Sequence, residues 1–273
     1  MADAGVEPRV ESVDGLRIRY VRRGSGPAVV LLHGIASSIY TWKDVLPALA
    51  HDHDVVAMDL PGFGGSAVPA RPSVDVLQTA VVGLMDRLSI SRASLVGNSL
   101  GGATAALVAS RHPERVERLV LIDAAGFRLS PESRPWLLRV SGGPLGAVVS
   151  RLPRPRPLVA IGLRQVFQDD SLVTRERLDE YEAPFLRPGA VSGMRALLNA
   201  QGPTADAFEA TLRALRVPTL VVWGEDDRWI PVADAARFAA AIQGARKVVL
   251  PRCGHMPQEE RPAEVLALLR EVL

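Results

Sequence analysis

The stretch that most constrains this chain is Ala93-Ser94-Leu95-Val96-Gly97-Asn98-Ser99-Leu100-Gly101-Gly102. A short apolar run reaches Gly97, turns through Asn98 and Ser99, and re-emerges as Ala103-Thr104-Ala105-Ala106-Leu107-Val108-Ala109, a run of good helix formers. A buried strand that turns at once into a helix leaves its apical serine exposed to a cleft. Glycines two before and two after the serine are expected, because a Cβ there would collide across so sharp a turn. The positive end of the helix macrodipole then lies beneath the hydroxyl.

A hydroxyl so presented is still a poor nucleophile and needs a base. Of the five histidines, His255 follows the last strand pattern directly, in Cys253-Gly254-His255, at the edge of the sheet where Ser99 is expected. His51 and His53 fall in a polar link and are expected to be solvated, and His112 reads as a helix-end residue before Pro113. An acid must orient the imidazole. Glu225, Asp226 and Asp227 lie just past the strand Val217 to Trp223, and Asp123, at the end of an earlier strand, is held in reserve. The oxyanion of a tetrahedral intermediate needs backbone N–H donors. Leu100, directly after the serine, supplies one, and Ile35, in the loop after His33-Gly34, supplies the other. His33 is expected to tie that loop down. Gly34, Asn98 and Met256 flank these groups and are expected to border the substrate.

Around these positions the chain alternates strands and helices. Val10–Val13 and Leu16–Tyr20 flank Asp14-Gly15 as a hairpin. Ala28–Leu32, Val55–Asp59 and Arg118–Asp123 are apolar runs suited to strands buried on both faces. Helices are expected from near Tyr40 to Ala50, Val74 to Leu88, Val232 to Ile242 and about Pro262 to Leu273, with a strand at Lys247–Leu250. The pattern implies an α/β fold with a mainly parallel sheet of about eight strands, helices on both faces and an antiparallel hairpin at one edge.

The rhythm stops between 127 and 203, too long an interval for a simple connection. Helical patterns occupy it at Trp136–Val140, Leu158–Phe167, Thr174–Phe185 and Val191–Ala200. It reads as a helical cap over the sheet's carboxyl edge, with 1–126 and 204–273 forming the core. From Arg128 to Arg164 there are seven arginines (128, 134, 139, 151, 154, 156, 164) against the single acid Glu132. Apolar residues between them suit weak contact with an anionic lipid surface, although a helix pair packed on the sheet with solvated arginines is the plainer reading. Arg154-Pro155-Arg156-Pro157 is expected to be a stiff extended connector.

Net charge is only +2, which makes no case for nucleic acid. One cysteine, Cys253, excludes an intrachain disulfide framework and a cysteine-only metal site. No signal-peptide pattern and no membrane-length apolar run is present, so a soluble, cytoplasmic protein is expected. Oligomeric state is left open.

Taken together, His33-Gly34, Asp59-Leu60-Pro61-Gly62-Phe63-Gly64-Gly65-Ser66, Gly97-Asn98-Ser99-Leu100-Gly101-Gly102, Gly224 through Pro231 and Gly254-His255 resemble the α/β-hydrolase-fold serine hydrolases with a helical cap. The resemblance places the acid three residues after Gly224 and four before Pro231, which selects Asp227. It implies a Ser99–His255–Asp227 triad, an acyl-enzyme, a small-molecule ester substrate with an apolar acyl part, and no metal or organic cofactor. Gly97-Asn98-Ser99 and Ser171-Leu172-Val173-Thr174 also resemble the hydrolases that cleave carbon–carbon bonds in aromatic ring-fission products. Those enzymes carry tryptophan where this chain has Met256 and a cap arginine near Tyr181, and their oxyanion loop is richer in glycine than Ile35-Ala36-Ser37-Ser38. Arg175, Arg177 or Arg187 would have to supply the missing cation. Some proteins of this fold keep a triad and only bind ligand, a third reading from a different class.

Overall fold

A computed structural model describes residues 7–127, 156–200 and 202–273. Eight strands form one sheet: β1 Arg9–Val13, β2 Leu16–Arg23, β3 Ala28–Leu32, β4 Asp54–Met58, β5 Ala93–Asn98, β6 Val116–Ile122, β7 Thr219–Gly224 and β8 Arg246–Leu250. Their order is β1-β2-β4-β3-β5-β6-β7-β8. β1 pairs antiparallel with β2 and β2 antiparallel with β4, while every later pairing is parallel. The expected α/β sheet with an antiparallel hairpin at its edge is the observed one.

The continuous apolar runs of the parallel strands are explained by cores on both faces. Val30 and Leu32 of β3 join one cluster and Val29 and Leu31 the other. The first cluster is closed by α2 Val74–Arg87, α3 Leu100–Arg111, α7 Ala205–Ala214 and α8 Ala233–Ala241. α1 Leu46–Leu49 and α9 Pro262–Val272 cover the opposite face. Ser73 caps α2 by accepting from the Val76 amide at 3.3 Å, which satisfies one of its orphan donors.

Several local expectations are corrected. A single helix from Tyr40 to Ala50 does not form; a 3-10 turn spans Ile39–Trp42 and α1 begins only at Leu46. Pro47 is the reason, since it lacks an N–H and fits only in the first turn of a helix. Pro184 acts in the same way, ending the helix Arg175–Glu182 and leaving a 3-10 turn over Ala183–Leu186. α7 was not anticipated at all. Thr204 caps it through the Ala207 amide, and its buried Phe208 stacks edge-on against Phe127 and Phe238. His53 is buried rather than solvated, held 2.9 Å from Asp52.

Between β6 and β7 the described helices are α4 Arg156–Val166, α5 Arg175–Glu182 and α6 Ala190–Asn199. The helix expected at Trp136–Val140, and Arg128, Arg134, Arg139, Arg151 and Arg154, lie outside the described residues. Arg156 and Pro157 open α4 instead of forming an extended connector. Arg156 is paired with Asp179 and, at 3.3 Å, with Glu182, so it is not a free cation. Among the described residues no helix is long and apolar enough to cross a membrane.

Candidate active site

β5 is buried along its whole length and delivers Ser99 to the N-terminus of α3. Ser99 adopts φ +54° and ψ −116°, a left-handed backbone that costs a non-glycine residue about 1–3 kcal/mol. The surroundings enforce it. The Ser99 amide donates to the Ile122 carbonyl at 3.0 Å, and its own carbonyl accepts from Ala103 and Ala125. A Cβ on Gly97 would meet the Gly101 carbonyl oxygen at 2.3 Å, and one on Gly101 would meet that of Leu32 at 2.2 Å. Both glycines are therefore required by backbone contact, as the turn reading predicts.

His255 stands on the loop after β8, 2% exposed, with Nδ1 2.7 Å from Asp227 Oδ2. With that nitrogen donating to the carboxylate, Nε2 is left as the acceptor. Asp227 Oδ1 accepts from the Trp229 amide at 2.7 Å and the Ile230 amide at 3.0 Å, which holds the carboxylate in one orientation. Asp226 is exposed and makes no such contact with the histidine. The Trp229 ring stacks on His255, centroids 5.6 Å apart and planes 26° from parallel. Ser99 and His255 face the same cavity. The serine hydroxyl is not hydrogen-bonded to the imidazole in this structure, a contact that commonly tightens only around substrate.

Asp123 sits behind this pair, fully buried, with Oδ1 accepting from the Gly224 amide at 2.9 Å. Asp123, Asp227 and His255 each bring one donor atom within 4.8 Å of the others. They are the one such trio among the described residues close enough to share a cation. Burial, then the charge of Asp227, pushes the Asp123 carboxyl well above its ordinary 3.8. Its Oδ2 has no hydrogen-bond partner among the described residues. Burial and the neighbouring Asp227 thus both disfavour a second negative charge on Asp123 beside the imidazole.

A carboxyl whose pKa is raised on folding favours the fold fully below its unfolded value, and that contribution is lost as pH rises through the folded value. Asp123→Asn imitates the protonated acid. Denaturant titrations at pH 5 and pH 8 should show wild type losing stability relative to the variant as pH rises above the ordinary 3.8. A pH-independent difference would mean that Asp123 is ionised in the fold.

His33 holds the loop facing Ser99. It is fully buried, and burial lowers its pKa. Nε2 accepts from the Leu60 amide at 3.0 Å, leaving Nδ1 to donate to the Gly34 carbonyl at 2.7 Å. A Cβ on Gly34 would lie 3.1 Å from both Asn98 Oδ1 and Ser99 Cβ, so the loop approaches the serine closely. Among the described residues the amides of Ile35 and Leu100 donate no hydrogen bond. Leu100 is the first residue of α3, where an amide has no intrahelical acceptor.

Gly34, Ile35, Asn98, Ser99, His255 and Met256 all border the cavity, whose opposite wall comes from Val159, Leu163 and Val166 of α4, Tyr181 and Phe185. Asn98 carries an additional structural role. Its Nδ2 donates to the carbonyls of Ile122 at 3.2 Å and His255 at 3.1 Å, tying the two loops together.

One group of residues was missed in the sequence. Glu259, with a fully buried side chain, accepts from Thr41 at 2.8 Å, from Arg177 Nε at 3.0 Å and from the Tyr181 hydroxyl. The set crosses 218 residues of chain, so no local pattern could have revealed it. None of the three arginines considered as cations for a dianionic substrate lines the cavity. Arg177 is spent on Glu259 and the Leu172 carbonyl, Arg187 donates to the Gly64 carbonyl, and Arg175 is exposed.

Comparison with known proteins agrees with this architecture. A family model described as alpha/beta hydrolase fold matches residues 27–262. The chain is 34% identical over 271 residues to 2-hydroxymuconate semialdehyde hydrolase of Pseudomonas sp. strain CF600, covering 95% of this chain and 91% of that protein. Among solved structures, a mutant of the meta-cleavage product hydrolase CumD superposes with a TM-score of 0.83 at 29% identity, covering 96% of each chain. A membrane phospholipase A, described as a bacterial virulence factor, superposes at 0.80 with 30% identity, covering 98% of this chain and 86% of that one.

Proposed function

The chain belongs to the α/β-hydrolase family, and on that premise we propose that it is a serine hydrolase cleaving carboxylic esters with an apolar acyl part. Ser99 Oγ attacks the ester carbonyl while His255 Nε2 takes its proton. Asp227 holds the imidazole and stabilises its charged form. The negative oxygen that develops is met by the Ile35 and Leu100 amides, which are unoccupied among the described residues. Collapse breaks the bond to the alcohol oxygen, which leaves with the proton from His255. Water then gives a proton to Nε2 and adds to the acyl carbon; the bond from that carbon to Ser99 Oγ breaks, Oγ takes the proton back from Nε2, and the acid is released. The reading calls for no cofactor.

The observation that carries the ester reading is the cavity wall. Ile35, Val159, Leu163, Val166, Phe185 and Met256 are apolar, and among the described residues no cationic side chain lines the cavity. An anionic group against this described part of the wall would lose hydration without a paired charge from it, which is costly. A neutral ester suffers no such penalty. The membrane phospholipase A among the structural neighbours supports the same chemistry.

The second reading is carbon–carbon bond hydrolysis of a ring-fission product, favoured by the likeness to 2-hydroxymuconate semialdehyde hydrolase and CumD. A panel of p-nitrophenyl esters of graded chain length, assayed beside one yellow ring-fission product, separates the two. Faster ester release is expected. Bleaching of the ring-fission product far faster than any ester is cleaved would overturn the ester reading in favour of the second.

A further inference from the structure

The loop that carries His255 is fastened to the cavity wall through one carboxylate. Glu260 Oε1 accepts from the amides of Gly254 at 2.9 Å and Met256 at 3.4 Å, on either side of the histidine. Its Oε2 accepts from the Gln168 amide at 2.8 Å, just beyond the end of α4. The amide of His255 itself donates to the Val166 carbonyl at 2.7 Å, in the last turn of α4. All three successive amides of the histidine loop are therefore bound, two by Glu260 and one by the helix that walls the cavity. The contact is close-fitting: a Cβ on Gly254 would lie 2.4 Å from the Val166 carbonyl oxygen and 2.9 Å from the Gln168 nitrogen.

Glu260 touches neither the cavity nor the imidazole, yet it bonds to both partners of this seam. We propose that Glu260 is a positioning residue that couples the seating of α4 to the placement of the His255 ring, so that the wall and the base move as one unit. The proposal rests on the reading of His255 as general base. Its physical basis is that a carboxylate accepting three amide hydrogen bonds across two segments has few other orientations. A ring displaced by as little as 1 Å loses proton-transfer geometry, at a cost of up to about 100-fold in rate.

The test is Glu260→Gln, which keeps the shape but turns one acceptor into a donor facing amide donors. Well below the variant's Tm, kcat for a short p-nitrophenyl ester should fall about 10- to 100-fold with KM changed little. The rate at which a phosphonate labels Ser99 should fall by a similar factor. Amide hydrogen exchange should rise together in the peptides carrying Val166–Gln168 and Gly254–Met256. A merely structural role would lower Tm and leave kcat and labelling of the folded protein within about twofold, and that result overturns the proposal. Faster exchange confined to the histidine loop would also overturn it, because the link to α4 would be absent. Failure of the triad reading has a separate signature, undiminished turnover in Ser99→Ala, which does not depend on Glu260.

Discussion

Ser99→Ala is expected to lower kcat for short p-nitrophenyl esters by on the order of 10⁴-fold or more, because members of a triad act as a unit. His255→Ala should fall to a similar level, and the double variant should be little worse than either single one. The residual rate would come from the oxyanion amides of Ile35 and Leu100 and from binding. Mass spectrometry after reaction with a serine-directed phosphonate should find the label on Ser99. Near-normal turnover by Ser99→Ala, or a label elsewhere, would remove the nucleophile from the mechanism. Folding is not at issue in this variant, since alanine is smaller than serine and Ser99 Oγ makes no hydrogen bond among the described residues.

The second large effect concerns stability. Arg177→Ala is expected to cost about 3–5 kcal/mol, the usual consequence of leaving one member of a buried ion pair without its partner. The Glu259 side chain is fully buried and that of Arg177 is 8% exposed, so water cannot substitute for the lost guanidinium. Burial already pushes the Glu259 carboxyl above its ordinary range, and the charge and hydrogen bond of Arg177 work against that shift. Removing Arg177 should therefore favour a protonated Glu259. In a domain of this size, thermal unfolding should show a Tm lower by on the order of 10 °C. Adding Glu259→Gln should recover part of the loss by removing the stranded charge. A Tm within a degree or two of wild type would mean that α5 is not anchored by this pair. Tyr181, from the same helix, borders the cavity, so weaker substrate binding should accompany the loss.

The fold was legible because its signals are local. Apolar runs such as Val29–Leu32 and Val55–Met58 need partners on both faces, and only a covered parallel sheet provides them. Errors arose where one residue interrupts a period. Pro47 and Pro184 each cut an otherwise plausible helix. α7 has only a short pattern, marked by its cap Thr204 and by Phe208 and Leu212, four residues apart. The burial of His53 is not signalled by the polar residues beside it in the chain.

The site divides in the same way. The sequence alone determined that Ser99 lies at a strained turn, because Gly97 and Gly101 are close in the chain and their lack of side chains is a local steric demand. It put Ser99, the acidic cluster Glu225-Asp226-Asp227 and His255, in that order, after three of the strand patterns. It left Asp226 and Asp227 to be separated by family spacing, and it left Arg175, Arg177 and Arg187 as equivalent candidates for a substrate cation. Only the tertiary structure brought Asp227 Oδ2 to 2.7 Å from His255, put Asp123 behind it, and paired Arg177 with Glu259 across 82 residues. The reason is physical. Steric constraints on a turn act over a few residues, whereas the charge and polarity of a cavity depend on which buried groups neutralise one another, and those partners meet only when the chain has folded.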